Sequence, residues 1–81
     1  MNFTAKQFKA IRRVHGLTMH RMAEILECST PYVHGMEHGD HPITENIARK
    51  LVARFEITSN RMRAITLHYD NHILPYEKVG E

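Results

Sequence analysis

Three of the seven histidines in this chain of 81 residues, His34, His38 and His41, fall within one short stretch, and residues four apart share a helix face. A metal site is the first chemistry such a set suggests, but the pattern argues against it. The single cysteine, Cys28, supplies no second ligand cluster, and the CxxC and HExxH spacings are missing. No metal and no other cofactor is expected. Nor is there a kit for catalysis: the chain has no glycine-rich phosphate loop, no nucleophile motif and no paired carboxylates at a fixed helical spacing, so it does not read as an enzyme. The same stretch suits hydrogen bonding instead. Thr30 can bond a base edge or offer its methyl to thymine, and His34 can donate to guanine.

Side chains used in that way need a rigid carrier. Residues 16 to 39, GLTMHRMAEILECSTPYVHGMEHG, read as two short helices joined by a tight turn. Thr18 can cap the first, which carries Met22, Ala23 and Leu26 inward, and Ser29 can cap the second, which carries Val33 and Met36 inward. Ala23 sits where the helices cross, and its small side chain lets the backbones approach. Cys28, in the turn, fits as a small buried hydrophobe. Left pointing outward from the second helix are Thr30, Pro31, His34, Gly35 and His38, a layout suited to a DNA groove. Pro31 is tolerated in the first turn, where its absent amide would have been unpaired anyway. Tyr32 can either read a base or pack against the preceding helix.

The flanking elements follow from the same rules. Thr4 and Gln7 have capping-box spacing, so a helix is expected over Ala5 to Val14, with Ala5, Phe8 and Ile11 inward, Lys6, Lys9 and Arg13 outward, and Gly16 ending it. Gly39 to Pro42 form a loop. Thr44 then caps a fourth helix to Phe55 with Ile47, Ala48, Leu51, Val52 and Phe55 on one face. Ile57 is a buried connector, and Ser59 caps a fifth helix that turns Met62, Ile65 and Tyr69 inward. The expectation is an all-α, five-helix domain over residues 1–70 and a C-terminal tail over 71–81, where Pro75 stops helix continuation. Ile73, Leu74, Tyr76 and Val79 make that tail too apolar for solvent, so it packs on its own domain or on a second subunit in a dimer.

Composition sets the bounds. A hydrophobic fraction of 42% without tryptophan fills one small core with little stability in reserve, and the methionines, Met1 included, serve as gap fillers in it. The net charge of +2 and pI near 8.9 are only mildly basic. Lys6, Lys9, Arg12, Arg13 and Arg21 nevertheless cluster in the first third, which suggests a basic face. No internal disulfide is possible, and no apolar run reaches the length of a membrane span or a signal sequence, so a cytoplasmic protein with no membrane partner is expected.

The stretch from Gly16 to Gly39 resembles the helix-turn-helix of the lambda-repressor-like family, also called Cro/C1 or XRE. The family-typical elements are Gly16, Leu17 and Thr18, then Ala23 and Leu26, Ser29 at the second cap, and Val33, Met36, Glu37 and Gly39 after it. The likeness runs from about Phe3 to Leu67. It implies a compact phage or prophage regulator: a homodimeric repressor that lays its third helix into the major groove of a palindromic operator in double-stranded DNA and covers a promoter. It also implies a partly buried salt bridge between Arg12 and Glu37. Base readout falls to Thr30, Pro31, Tyr32, His34 and Gly35, and phosphate contacts to Arg13, Thr18, Met19, Ser29, His38, His41 and Thr44. Three departures shift the details, since Met19 replaces the usual phosphate-binding Gln, Glu27 the usual turn Gly, and Gly35 a long polar reader. A different class of function also fits these residues: an antitoxin or adaptor that grips a protein partner through its last helices and tail, with DNA binding secondary.

Overall fold

The computed structural model describes residues 2–79 and shows an all-α protein. Six helices follow one another: α1 (Ala5–Val14), α2 (Met19–Leu26), α3 (Thr30–Glu37), α4 (Glu45–Phe55), α5 (Ser59–His72) and α6 (Leu74–Val79). The starts are set by side-chain caps. Thr4 and Gln7 exchange hydrogen bonds with each other's backbone at 3.0 and 2.9 Å, and Thr18, Ser29 and Thr44 each accept from the amide three residues on. Each such cap contributes about 1 kcal/mol. The fifth helix differs from expectation by one residue: Thr58 is its cap, accepting from the Arg61 amide at 3.1 Å, and Ser59 is already helical. Either hydroxyl could cap, and Ile57, buried just before them, leaves Thr58 at the extended position.

The ends use left-handed backbone. Gly16 and Gly39 adopt φ of 69° and 79°. Glu27 and Glu56 do the same without glycine, at φ 58° and 54°, a strain of roughly 1 to 2 kcal/mol each. The core is built from Phe8, Ile11, Met22, Leu26, Val33, Met36 and Leu51, all fully buried, with Ile57, Met62, Ile65 and Tyr69 closing it from the connector and α5. Ala10 joins it unannounced, whereas Ala5 and Val52 are only half-buried.

The largest departure is at the C-terminal end. Residues 71–79 are not an irregular tail. α5 continues to His72, the backbone breaks at Ile73, and α6 begins at Leu74. Pro75 does end α5, because its ring cannot follow the carbonyl four residues back, but in the first turn of α6 its missing amide costs nothing. Ile73 and Leu74 pack against the domain's own core, and the Tyr69 hydroxyl donates to Glu77 Oε1 at 2.6 Å. Gly80, Glu81 and Met1 lie outside the described residues, as does the side chain of Val79. No helix among the described residues is long and apolar enough to cross a membrane.

Candidate nucleic-acid interface

α2 and α3 are joined by Glu27, Cys28 and Ser29 and pack through Ala23, which is 3% exposed. The turn is pinned from three sides. The Cys28 amide donates to the Ala23 carbonyl at 3.0 Å, Glu27 supplies the left-handed step, and Lys50 reaches from α4 to donate to the Leu26 carbonyl at 3.0 Å. Cys28 is half-buried; burial pushes its thiol pKa up against the opposing pull of Lys50, so it stays protonated at neutral pH. Nothing in the sequence pointed to Lys50, which stands 24 positions from its acceptor.

The far end of α3 is held by Arg12. Its Nε and Nη2 donate to the two Glu37 oxygens at 2.5 and 3.0 Å, and Nη1 donates to the Leu17 carbonyl at 2.8 Å. The bridge is buried and ties α1, the turn before α2 and the end of α3 together. Desolvation offsets much of its Coulomb gain, yet losing one partner strands a charge in the core, at a cost of about 3 to 5 kcal/mol.

On the outer side of α3, Pro31, His34 and His38 are exposed and Thr30 is half-buried. The His34 and His38 rings stack with centroids 3.9 Å apart. His38 Nδ1 donates to the His34 carbonyl at 2.8 Å, which leaves Nε2 as its outward polar atom. Gly35 does not belong to this surface. It is buried, and the His41 ring lies against it so closely that an added Cβ would overlap the ring. Gly35 therefore reads no base; it makes room. The amides of Asp40 and His41 both donate to its carbonyl, at 2.8 and 3.2 Å, and the His41 ring stacks flat on Tyr32 at 4.9 Å. A glycine inside a helix, three residues after a tyrosine, was the available signal for a close approach.

The residues expected at phosphates divide. Ser29 and Thr44, the caps of α3 and α4, line one cleft of about 280 Å³ with Tyr32 and Lys50. Thr18 is exposed at the opposite end of α2, and Met19 behind it packs against the core. His38 and His41 are exposed. Arg13 is engaged elsewhere: its Nε lies 2.8 Å from Glu77 Oε2, on the α6 side. The other cations of the first third of the chain, where the sequence suggests a basic face, also have acidic partners. Lys6 pairs with Asp70, Lys9 with Glu77, Arg12 with Glu37 and Arg21 with Glu24.

Among the described residues no three His, Cys, Asp or Glu side chains group in a way that could hold a metal ion. No family model, curated protein or solved structure matches the chain.

Proposed function

We propose that the protein is a sequence-specific DNA-binding regulator, a homodimeric repressor of the lambda-repressor-like kind that sets α3 in the major groove of a palindromic operator and blocks a promoter. The observation that carries this reading is the contrast across α3: Val33, Met36 and Glu37 are buried, whereas Pro31, His34 and His38 are exposed along an uncovered edge. That edge is held by the Arg12–Glu37 bridge behind it and by the Tyr32–His41 stack beside it. Thr30, Pro31 and His34 are the base readers, with the Tyr32 hydroxyl at their flank. Thr18, Met19, Ser29, His38, His41 and Thr44 position the helices on phosphate, using the first-turn amides as much as side chains. Five helices then form the DNA-binding unit, and the two half-sites lie about one helical turn apart. Repression follows from occupancy, in a cytoplasmic protein that needs no cofactor.

Selection of a duplex from a random pool, followed by mobility shift with single-stranded RNA as competitor, tests the reading. A selected inverted repeat bound in preference to RNA supports it; no enrichment contradicts it. One observation favours a second reading, that of an adaptor or antitoxin. A cleft of about 510 Å³ lies along α4, lined by Ala48, Val52, Ala53 and Ile57 and edged by Glu45 and Arg49. A stoichiometric protein that co-purifies and is lost on Ala53→Asp would favour it.

A further inference from the structure

Four of the seven histidines form two pairs one helical turn apart, His34 with His38 on α3 and His68 with His72 on α5, and all four are exposed. The spacing is shared, but the geometry differs. On α5 the rings are tilted by 43° with centroids 5.0 Å apart, and neither is tied to a carbonyl among the described residues. On α3 they lie within 19° of parallel at 3.9 Å, and His38 Nδ1 donates to the His34 carbonyl. That bond fixes the tautomer, so His38 Nε2 keeps a lone pair on the outer side. An imidazole tied to a backbone carbonyl through one nitrogen is the arrangement by which proteins orient a metal ligand.

From this geometry we infer that His34 and His38 together seat an exchangeable divalent transition-metal ion of the class that prefers imidazole, such as zinc(II), through one ring nitrogen each, with water completing its coordination. Two nitrogens bound to one tetrahedral zinc ion stand about 3.3 Å apart, given bonds of about 2.0 to 2.1 Å. The stacked rings are already near that separation, and χ2 of a histidine is a broad torsion, so the His34 ring can turn a nitrogen toward the ion at little cost. No fixed cation on the helix opposes it: α3 has no lysine or arginine, and Arg12 holds its one carboxylate, Glu37. With two protein ligands rather than three or four, the ion exchanges with solution and is no resident cofactor. On the DNA reading above, on which this consequence rests, the same two rings face a base edge and a phosphate. Metal and duplex therefore exclude one another, and the ion acts as an antagonist of DNA binding.

Zinc sulfate titrated into the full chain at neutral pH, with the imidazole nitrogens followed by nuclear magnetic resonance, tests the site without DNA. The His34 and His38 signals should move together and ahead of those of His68 and His72. His34→Ala and His38→Ala should each weaken binding at the pair by about tenfold or more, because the remaining imidazole loses a second ligand held at high effective concentration. His68→Ala should leave it unchanged. These are exposed positions, and circular dichroism checks that the variants keep their helices. No binding, equal binding at both pairs, preference for α5, or a His38→Ala chain that binds as tightly as its parent overturns the inference. With a selected duplex, zinc should release the parent chain and have no such effect on His38→Ala, whatever that variant's own affinity for DNA. Duplex retained while zinc occupies the pair overturns the exclusion. Zinc bound at the pair by a chain that selects no duplex supports the site and removes the DNA reading instead.

Discussion

The outer edge of α3 and the flank formed by α1, α5 and α6 use polar residues in opposite ways. On the flank, Lys6, Lys9 and Arg13 all meet acidic partners, and Glu77 gathers Lys9, Arg13 and the Tyr69 hydroxyl at one point. The α3 edge carries histidines, a proline and a threonine, with no permanent charge of its own. Most of the formal charge in the first third thus holds helices together, and the surface proposed for DNA depends on hydrogen bonds, first-turn amides and ring contacts. A shallow salt dependence follows, because few phosphate counterions are displaced by fixed cations.

The strongest way to break this contrast is to cut the bridge that supports the α3 edge from inside. Glu37→Ala should cost about 3 to 5 kcal/mol and lower the melting temperature by roughly 15 °C or more, without DNA present. Circular dichroism melting checks it, and an unchanged curve would remove the bridge from the account.

The flank should answer to pH. Burial raises the Glu77 carboxyl pKa, but the Tyr69 hydrogen bond, Lys9 and Arg13 outweigh it and leave it below the usual carboxylate range. Its contribution is therefore full above the unfolded value and is lost as pH falls through the folded one. Tyr69 runs the other way: burial, then the hydrogen bond and charge of Glu77, raise its phenol pKa well above the usual range. That contribution is full below about pH 10 and is lost as the solution becomes more alkaline. Glu77→Ala should cost about 1 to 2 kcal/mol, remove its part of the acid limb of a stability-against-pH curve and make the alkaline limb shallower, the share due to burial of Tyr69 remaining. An acid limb unchanged in the variant would place that titration elsewhere.

On the α3 edge, His34→Ala should relax preference at one base position by about 1 to 3 kcal/mol of discrimination, read by competition among single-base operator variants. Gly35→Ala should change stability by less than about 1 kcal/mol, since better helix propensity offsets the displaced ring of exposed His41. It should still abolish the Tyr32–His41 stack, visible as lost ring-current shifts. Smallest of all, Arg13→Ala should leave the salt slope of duplex binding unchanged, because Glu77 already holds its guanidinium; a flattened slope would return Arg13 to the phosphate group.

Local signals made α1 to α4 legible residue by residue: a hydroxyl cap, a three-and-four apolar rhythm and a breaker each leave a mark in a short window. The same rhythm exposed Met62, Ile65 and Tyr69 as the inner face of α5. What stayed hidden depends on distant partners. Pro75 reads equally as the end of one helix and the start of another, and the choice depends on Glu77 finding Tyr69 and Arg13. Gly35 looks like an open position until the loop folds His41 back onto it. The cations of α1 look like a basic face until α5 and α6 bring their carboxylates.

The decisive measurement is a titration of the labelled protein with a selected inverted-repeat duplex, followed residue by residue by nuclear magnetic resonance. The account predicts that the largest shifts fall on Thr30, Tyr32, His34 and His38, with smaller ones at the first turns of α2 and α4 and none at Lys9, Tyr69 or Glu77. Shifts centred on the α1–α5–α6 flank, with the α3 edge unmoved, would contradict it.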